Sequence, residues 1–257
     1  MKMDRELTLV LENRALNKDH RMLILKAPKL AALAKPGQFA ELSTGGATLL
    51  RKPLSIAYAD EKKGELTFVF RVVGEGTKAL SLASKGSTID VIGPLGNGFS
   101  SECEKALLVG GGVGTPPLYY LASFLKKAGK EVEVILGARD KADLLLLPEF
   151  AALSLEPVLA TDNGSAGTKG TVVTALEGSE IAKGTKLYAC GPLPMLKALA
   201  VFAEKQGLEL EVCMEAYMGC GLGVCVGCVI PTEKGMQRVC KEGPVFSAKE
   251  IIWNKIR

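Results

Sequence analysis

Apolar and polar residues alternate with a period of two through much of residues 1–100. The runs that obey it are 7–11 (LTLVL), 21–25 (RMLIL), 54–58 (LSIAY), 65–72 (ELTFVFRV) and 88–92 (TIDVI). Such alternation predicts half-buried strands, and Pro36-Gly37 and Lys63-Gly64 between them predict turns. Several short strands at regular spacing predict a small antiparallel β-barrel. Past Ser100 the pattern changes. A continuous apolar run, 106–109 (ALLV), is followed by glycines and an amphipathic helix reaching about Lys127. Strand-like runs recur at 132–136, 158–161 and 186–190, each followed by a helical pattern, at about 144–152, 172–176 and 194–205. Strands alternating with helices predict a parallel sheet with helices on both faces. Residues 212–257 are a small, cysteine-rich unit with a hairpin expected over 229–239. The predicted architecture is β + α/β, divided as 1–100 (barrel), 101–211 (parallel-sheet, nucleotide-binding) and 212–257 (cysteine domain), with no internal repeat or low-complexity linker.

The chain has 257 residues, 47% hydrophobic and 23% charged, enough material for two compact domains and a third small one. Its net charge of +4 is small and dispersed, without a basic block or aromatic platform, so nucleic acid is not an expected partner. No run approaches the roughly 20 apolar residues of a membrane span, nor does an apolar leader open the chain. Seven cysteines, four of them in a metal-binding pattern, suit a reducing compartment, and a cytoplasmic location is expected. The single histidine, His20, lies in the charged segment Asn17-Lys18-Asp19-His20-Arg21. It reads as a solvated loop residue, which makes His-dependent hydrolytic chemistry a poor expectation.

The cysteine pattern carries the most chemistry. Cys220, Cys225 and Cys228 stand as C-x4-C-x2-C, with eleven residues separating Cys228 from Cys240. This is plant-type spacing for a [2Fe–2S] cluster held by four thiolates. The interleaved glycines let backbone N–H groups approach the sulfurs. A structural zinc site is the alternative, but zinc knuckles favour two C-x2-C pairs or a histidine, and only one such pair occurs. Cys213 is the reserve fourth ligand.

Three further segments suggest nucleotide chemistry. Gly110, Gly111, Gly112, Val113, Gly114 and Thr115 follow a buried strand and open a helix. Their amides could approach a pyrophosphate, with Thr115 as N-cap and Pro116 in the first turn; G-x-G-x-x-G is absent, and tight strand–helix packing is the alternative. Cys190, Gly191, Pro192, Leu193, Pro194 and Met195 lie at another strand's carboxyl end, where ligands of open α/β sheets bind. Taken alone, this segment reads better as a strand terminator with a buried cysteine. In the barrel, Arg51, Lys52, Pro53, Leu54 and Ser55 offer basic groups for a phosphate and a hydroxyl for a flavin edge. Gly76 and Thr77, opening a short helix at 77–82, could complete the phosphate site.

Taken together, these motifs resemble the ferredoxin–NADP reductase-like flavoproteins. With the C-terminal cysteines added, the chain resembles, over essentially its whole length, the electron-transfer subunits of NAD-dependent (type B) dihydroorotate dehydrogenases. The resemblance implies FAD on Lys52–Ser55, Val69, Phe70, Arg71, Gly76 and Thr77, with Ser55 near the reactive edge of the isoalloxazine. It implies NAD between Gly110–Gly114 and Cys190–Met195, with Asp162 in a Thr-Asp-Asn-Gly-Ser loop at the same crevice. Asp162 and Asn163, with no Arg or Lys immediately beside them, favour the unphosphorylated ribose of NAD. No residue acts as a general base; the redox chemistry belongs to the cofactors. It further implies an FMN-containing dihydroorotate dehydrogenase catalytic subunit as partner, in a heterotetramer serving pyrimidine biosynthesis. Electrons would pass from that partner through the [2Fe–2S] cluster and FAD to NAD+. The chain departs from the family in Lys52, where an Arg is usual, and in the short Cys228–Cys240 interval. Alternatives are a reductase subunit of a hydrogenase, sulfide reductase or electron-bifurcating complex, a stand-alone NADH–acceptor oxidoreductase, and a zinc-containing interaction module.

Overall fold

The computed structural model describes residues 3–256. Its N-terminal part is a closed antiparallel barrel of six strands: β1 (Asp4–Ala15), β2 (His20–Lys26), β3 (Phe39–Leu42), β4 (Lys52–Asp60), β5 (Glu65–Arg71) and β6 (Thr88–Leu95), in the order β1-β2-β5-β4-β3-β6. Two short helices, α1 (Pro28–Ala31) and α2 (Glu75–Ser81), plug the connections. Five of the strands follow from alternation. β3 does not, because all four of its residues are buried. Ala40 and Leu42 face the barrel core while Phe39 packs outward into the next domain's core, so neither face is wet.

The second layer is a seven-stranded sheet. Its parallel strands are β7 (Lys105–Gly111), β8 (Glu131–Ala138), β9 (Val158–Thr161), β10 (Thr168–Lys169), β11 (Thr185–Cys190) and β12 (Leu210–Cys213). Crossovers carry α3 (Thr115–Lys127), α4 (Leu147–Ala152), α5 (Val172–Glu177) and α6 (Leu193–Gln206). The strands are apolar on both faces, as doubly covered strands must be. Ala106, Leu108 and Tyr188 pack with Leu118, Leu121 and Leu125 of α3, whereas Leu107, Val109 and Ala189 pack with α5 and α6. A π-rich seam of Tyr58, Tyr119 and Tyr120 joins the barrel to α3, and the Tyr120 hydroxyl donates to Ala34 O at 2.9 Å.

The cysteine unit is fused to this sheet. Its hairpin, β13 (Val229–Thr232) and β14 (Gly235–Arg238), returns the chain as the pattern predicts. Then β15 (Val245–Ser247) pairs antiparallel with β12, so the sheet is mixed at that edge. β12 itself spans the 211/212 division drawn from sequence. Cys228, Cys240, Ile230 and Val239 belong to the same apolar cluster as Val212 and Phe246. Asn97, just past β6, ties the barrel to this unit: its N–H donates to Gly243 O at 2.6 Å and its side chain to Glu242 O at 2.9 Å.

Candidate functional site

A cavity of about 320 Å³ opens between the barrel and the start of the cysteine unit, within the size range of cofactor sites. β4 supplies Pro53, Leu54 and Ser55, β5 supplies Val69, Phe70 and Arg71, and Thr77 closes one end. Seven of the residues expected at the flavin therefore share this cavity, and Met214, Glu215, Ala216 and Met218, which no motif marks, form the opposite wall. Apolar walls with a hydroxyl and a guanidinium suit an isoalloxazine with a polar edge. Lys52 lies outside the cavity proper, its stem draped over Gly76, where a β-carbon would overlap it. The basic residue and the opening of α2 are thus brought together, a fit for a phosphate. Two groups are otherwise engaged. Arg51 is held by Asp90, Nη2 to Oδ2 at 2.5 Å and Nη1 to the carbonyl at 2.7 Å, and lines neither cavity. The Thr77 hydroxyl caps its own helix, accepting from Val73 and Gly74 N–H and donating to Gly74 O at 3.0 Å.

A second cavity of about 450 Å³ lies beyond the carboxyl ends of β7, β8, β9 and β11. Gly111, Gly112 and Gly114 form one lip, Gly191, Pro192 and Met195 the other, and Asp162 and Gly170 the far end. The two lips interlock. A β-carbon on Gly114 would overlap the Cys190 carbonyl, and one on Gly111 would press on Met195 and Pro192. Gly112, at φ +52°, makes the turn that starts the helix. Gly110 lies beneath, packed on Leu136, in the structural role. Thr115 is not the N-cap. A single 3-10 turn, Gly112–Gly114, runs straight into α3, so Thr115 is already helical, and it is buried with Gly114 preceding it as cap. Cys190 is buried below the crevice beside its register partner Cys213 on β12; the neighbouring thiol, then burial, pushes its own thiol well up.

His20 is not solvated. It is 4% exposed and lines this crevice. Asn17 folds back so that its Oδ1 accepts from Asp19 N–H, His20 N–H and His20 Nδ1, the last at 2.9 Å, and the ring is drawn in as β2 pairs with β5. Burial holds its pKa below the ordinary value. A basic group also stands where none was expected: Arg139, at the end of β8, lines the crevice with Asp162, and its carbonyl accepts from Asn163 N–H at 3.2 Å. Arg71, Val113 and Glu215 line both cavities, so the two lie side by side. Burial raises the Glu215 carboxyl above its usual range. Neither Glu215 nor Arg139 sits in a glycine motif, which is why sequence spacing did not flag them.

The four cysteines fall into two pairs. Cys220 pairs with Cys225, and Cys228 with Cys240. Burial acts to raise the Cys220 thiol, but N–H groups of Cys225, Leu222 and Val224 outweigh it and bring it to about 6. The Leu222 N–H reaches its Sγ at 3.3 Å and that of Cys225 at 3.5 Å. Burial, then the bond to Cys228, pushes Cys240 up to about 12, and its own N–H donates to Cys228 Sγ at 3.4 Å. Two thiol pairs served by backbone N–H groups fit a two-iron cluster, one pair to each iron. The hairpin β13–β14 is what lets an eleven-residue interval bring Cys240 back beside Cys228.

A flavin-sized cavity in an antiparallel barrel, beside a dinucleotide crevice on a parallel sheet and joined to a cluster loop, defines a ferredoxin-reductase-like NAD oxidoreductase with an iron–sulfur centre. Residues 108–200 match the oxidoreductase NAD-binding domain, and residues 215–252 match the iron–sulfur cluster binding domain of dihydroorotate dehydrogenase B. The electron transfer subunit of dihydroorotate dehydrogenase B (NAD(+)) from Bacillus caldolyticus is 41% identical, covering 96% of this chain and 98% of its own. That of Desulforamulus reducens is 39% identical over 88% and 90%. A chain of the NADH-dependent reduced ferredoxin-NADP oxidoreductase superposes with a TM-score of 0.88 at 33% identity, over 97% of this chain and 91% of that one. The chain belongs to the family of dihydroorotate dehydrogenase B electron transfer subunits.

Proposed function

We propose that this chain is the electron-transfer half of an NAD+-dependent dihydroorotate dehydrogenase. Its partner is an FMN-containing catalytic subunit, two copies of each forming a cytoplasmic heterotetramer of pyrimidine biosynthesis. The observation that carries the reading is the sharing of Arg71, Val113 and Glu215 by both cavities, which places the two side by side, as transfer between a flavin and a nicotinamide requires. When bound, FAD and the [2Fe–2S] cluster supply conversion between one-electron delivery and hydride transfer to NAD+. This chain's residues bind and orient. Lys52 and the opening of α2 hold phosphate, Ser55 and Arg71 address the flavin's polar edge, and Val69, Phe70 and Leu54 exclude water from it. Gly111–Gly114 and Gly191–Pro192 admit the dinucleotide, with Asp162 and Arg139 at the far end. Cys220, Cys225, Cys228 and Cys240 hold the cluster. Cys190 stays protonated beneath the crevice floor, and no side chain acts as a general base.

A partner surface follows from the cluster loop. Cys225 is exposed, and around it Tyr217 is 99%, Val224 80% and Val226 59% exposed. An apolar rim beside the most accessible ligand suits a docking subunit that delivers electrons there. A second reading, the reductase subunit of an electron-bifurcating complex, draws on the 33% identity to the NADH-dependent reduced ferredoxin-NADP oxidoreductase chain. The test is an anaerobic visible spectrum of the purified chain before and after one equivalent of NADH, followed by mixing with the FMN subunit and dihydroorotate. Flavin and cluster bands bleached by NADH, and NAD+ reduction that requires the added subunit, are expected. A bleached chain that supports no dihydroorotate-dependent turnover sinks the assignment and moves it to the second reading.

A further inference from the structure

Among the described residues, the only buried side-chain oxygens or nitrogens without a hydrogen-bond partner are the two carboxylate oxygens of Glu41, a residue 2% exposed. An uncompensated buried carboxyl costs several times what a paired one does, so its persistence demands a reason. Its surroundings supply one. Glu41 sits on β3 opposite Pro53 of β4, with Ile92 of β6 on the other side. Side chains alternate along a strand, and Ala40 and Leu42 are in the barrel core. Glu41 therefore shares the outer face with Phe39, which lines the flavin cavity. Its carboxyl ends against Gly221, the residue after the ligand Cys220; a β-carbon on Gly221 would overlap Oε1, and Gly221 takes φ +67°. The cations nearby are committed elsewhere: Arg51 to Asp90, and Lys52 across Gly76.

We propose that Glu41 is a positioning residue of the cluster: its buried carboxyl, wedged between the flavin barrel and the Cys220–Leu222 turn, holds that turn and sets how readily the cluster is reduced. The inference rests on the cluster assignment above. The barrel presents acceptor oxygens to the first ligand turn from the flavin side, and acceptor oxygens beside a redox centre favour its oxidised, less negative state. At a separation of about 10 Å and an effective dielectric constant near 20, a unit charge is worth about a tenfold change in an equilibrium. Gly221 is the counterpart, since only a residue without a side chain leaves the carboxyl its place.

The test uses the full chain loaded with FAD and cluster, comparing wild type with Glu41→Gln and Glu41→Asp at pH 8. The cluster's electron paramagnetic resonance signal is followed in a redox titration, with NADH–ferricyanide turnover as the flavin control. In Glu41→Gln the reduced-to-oxidised ratio at a fixed potential should rise about tenfold, with cluster content and ferricyanide turnover unchanged. Glu41→Asp, which withdraws the carboxyl by one methylene, should shift it in the same direction by less. If Glu41→Gln does not fold, the Asp variant decides alone. A variant with full cluster content and the wild-type titration curve overturns the proposal. A wild-type chain with no cluster signal overturns the cluster assignment instead, and the two failures are distinct.

Discussion

Gly110–Gly114 and Cys220–Cys228 are both glycine-rich, and they use glycine for different ends. In the first loop protein fills the missing side chain's place at three of the four glycines, and only Gly112 faces open space. Gly110 receives Leu136, Gly111 receives Met195, and Gly114 receives the Cys190 carbonyl. The loop is a packed joint between two strand ends, and its ligand site is a by-product of that closeness. In the cluster loop, Gly219 and Gly227 face Cys225 Sγ, Gly221 makes room for a carboxyl and Gly223 for the stem of Lys241, while Val224 and Val226 lie open. This loop is shaped around sulfurs and is held by few apolar contacts of its own. The first site is therefore built by folding, and the second is completed by its metal.

Four experiments would break or sharpen that contrast. The largest effect is expected of Cys225→Ser: complete loss of the cluster's visible absorption, with NADH–ferricyanide turnover kept within about twofold because the flavin and dinucleotide cavities contain no cluster ligand. Simultaneous loss of flavin would show that the two regions fold as one. Gly114→Ala tests the packed joint. Its β-carbon meets a backbone carbonyl that cannot move aside, so a loss of about 3 kcal/mol, at the upper end for overpacking, and a collapse of NADH binding are expected by thermal melting and titration. Unchanged melting would mean the loop is looser than its contacts imply.

The third concerns Glu41, where the two regions meet. Burial raises its carboxyl to about 7 from the ordinary 4.5, against the lowering by Arg51. A raised acid favours the folded state while protonated, so stability is lost as pH rises from about 4.5 through 7. Glu41→Gln should melt higher than wild type at pH 8, by an amount on the order of 3 kcal/mol, and match it near pH 4.5. Equal melting at both pH values would show that the carboxyl is solvated. The smallest effect is expected of Asp162→Ala. With Arg139 in the same crevice, removing the carboxylate should relax preference for NADH over NADPH by about fivefold, a loss of roughly 1 kcal/mol of charge repulsion. A ratio of the two KM values that does not change would place the ribose elsewhere.

The elements themselves were largely legible, because they follow from local periodicity. β2, β5, β11 and the β13–β14 hairpin lie where alternation and turn residues put them. β3 was not, since four successive buried residues carry no period. Motifs tied to a strand end, such as Gly110–Gly114 with Cys190–Met195, could be paired from sequence because parallel sheets bring those ends together. The residues that escaped notice were single side chains delivered from elsewhere. His20 reads as solvated from its charged neighbours, but the Asn17 side chain turns it inward, and that contact exists only in three dimensions. Arg139 lies 23 positions before Asp162 yet stands beside it, since β8 and β9 are neighbours.

By itself the sequence determined the order of domains, the four cysteines and the glycine turns, since each follows from spacing along the chain and from what a residue can or cannot do with its own backbone. Only the tertiary structure decided that the cysteine unit shares the nucleotide sheet's core through β15, that Arg71, Val113 and Glu215 set two cavities side by side, and that Glu41 is buried without a partner against Gly221. The reason is physical. Burial and electrostatic environment depend on which distant segments pack together, and a side chain's charge acquires its meaning from neighbours that chain order does not specify.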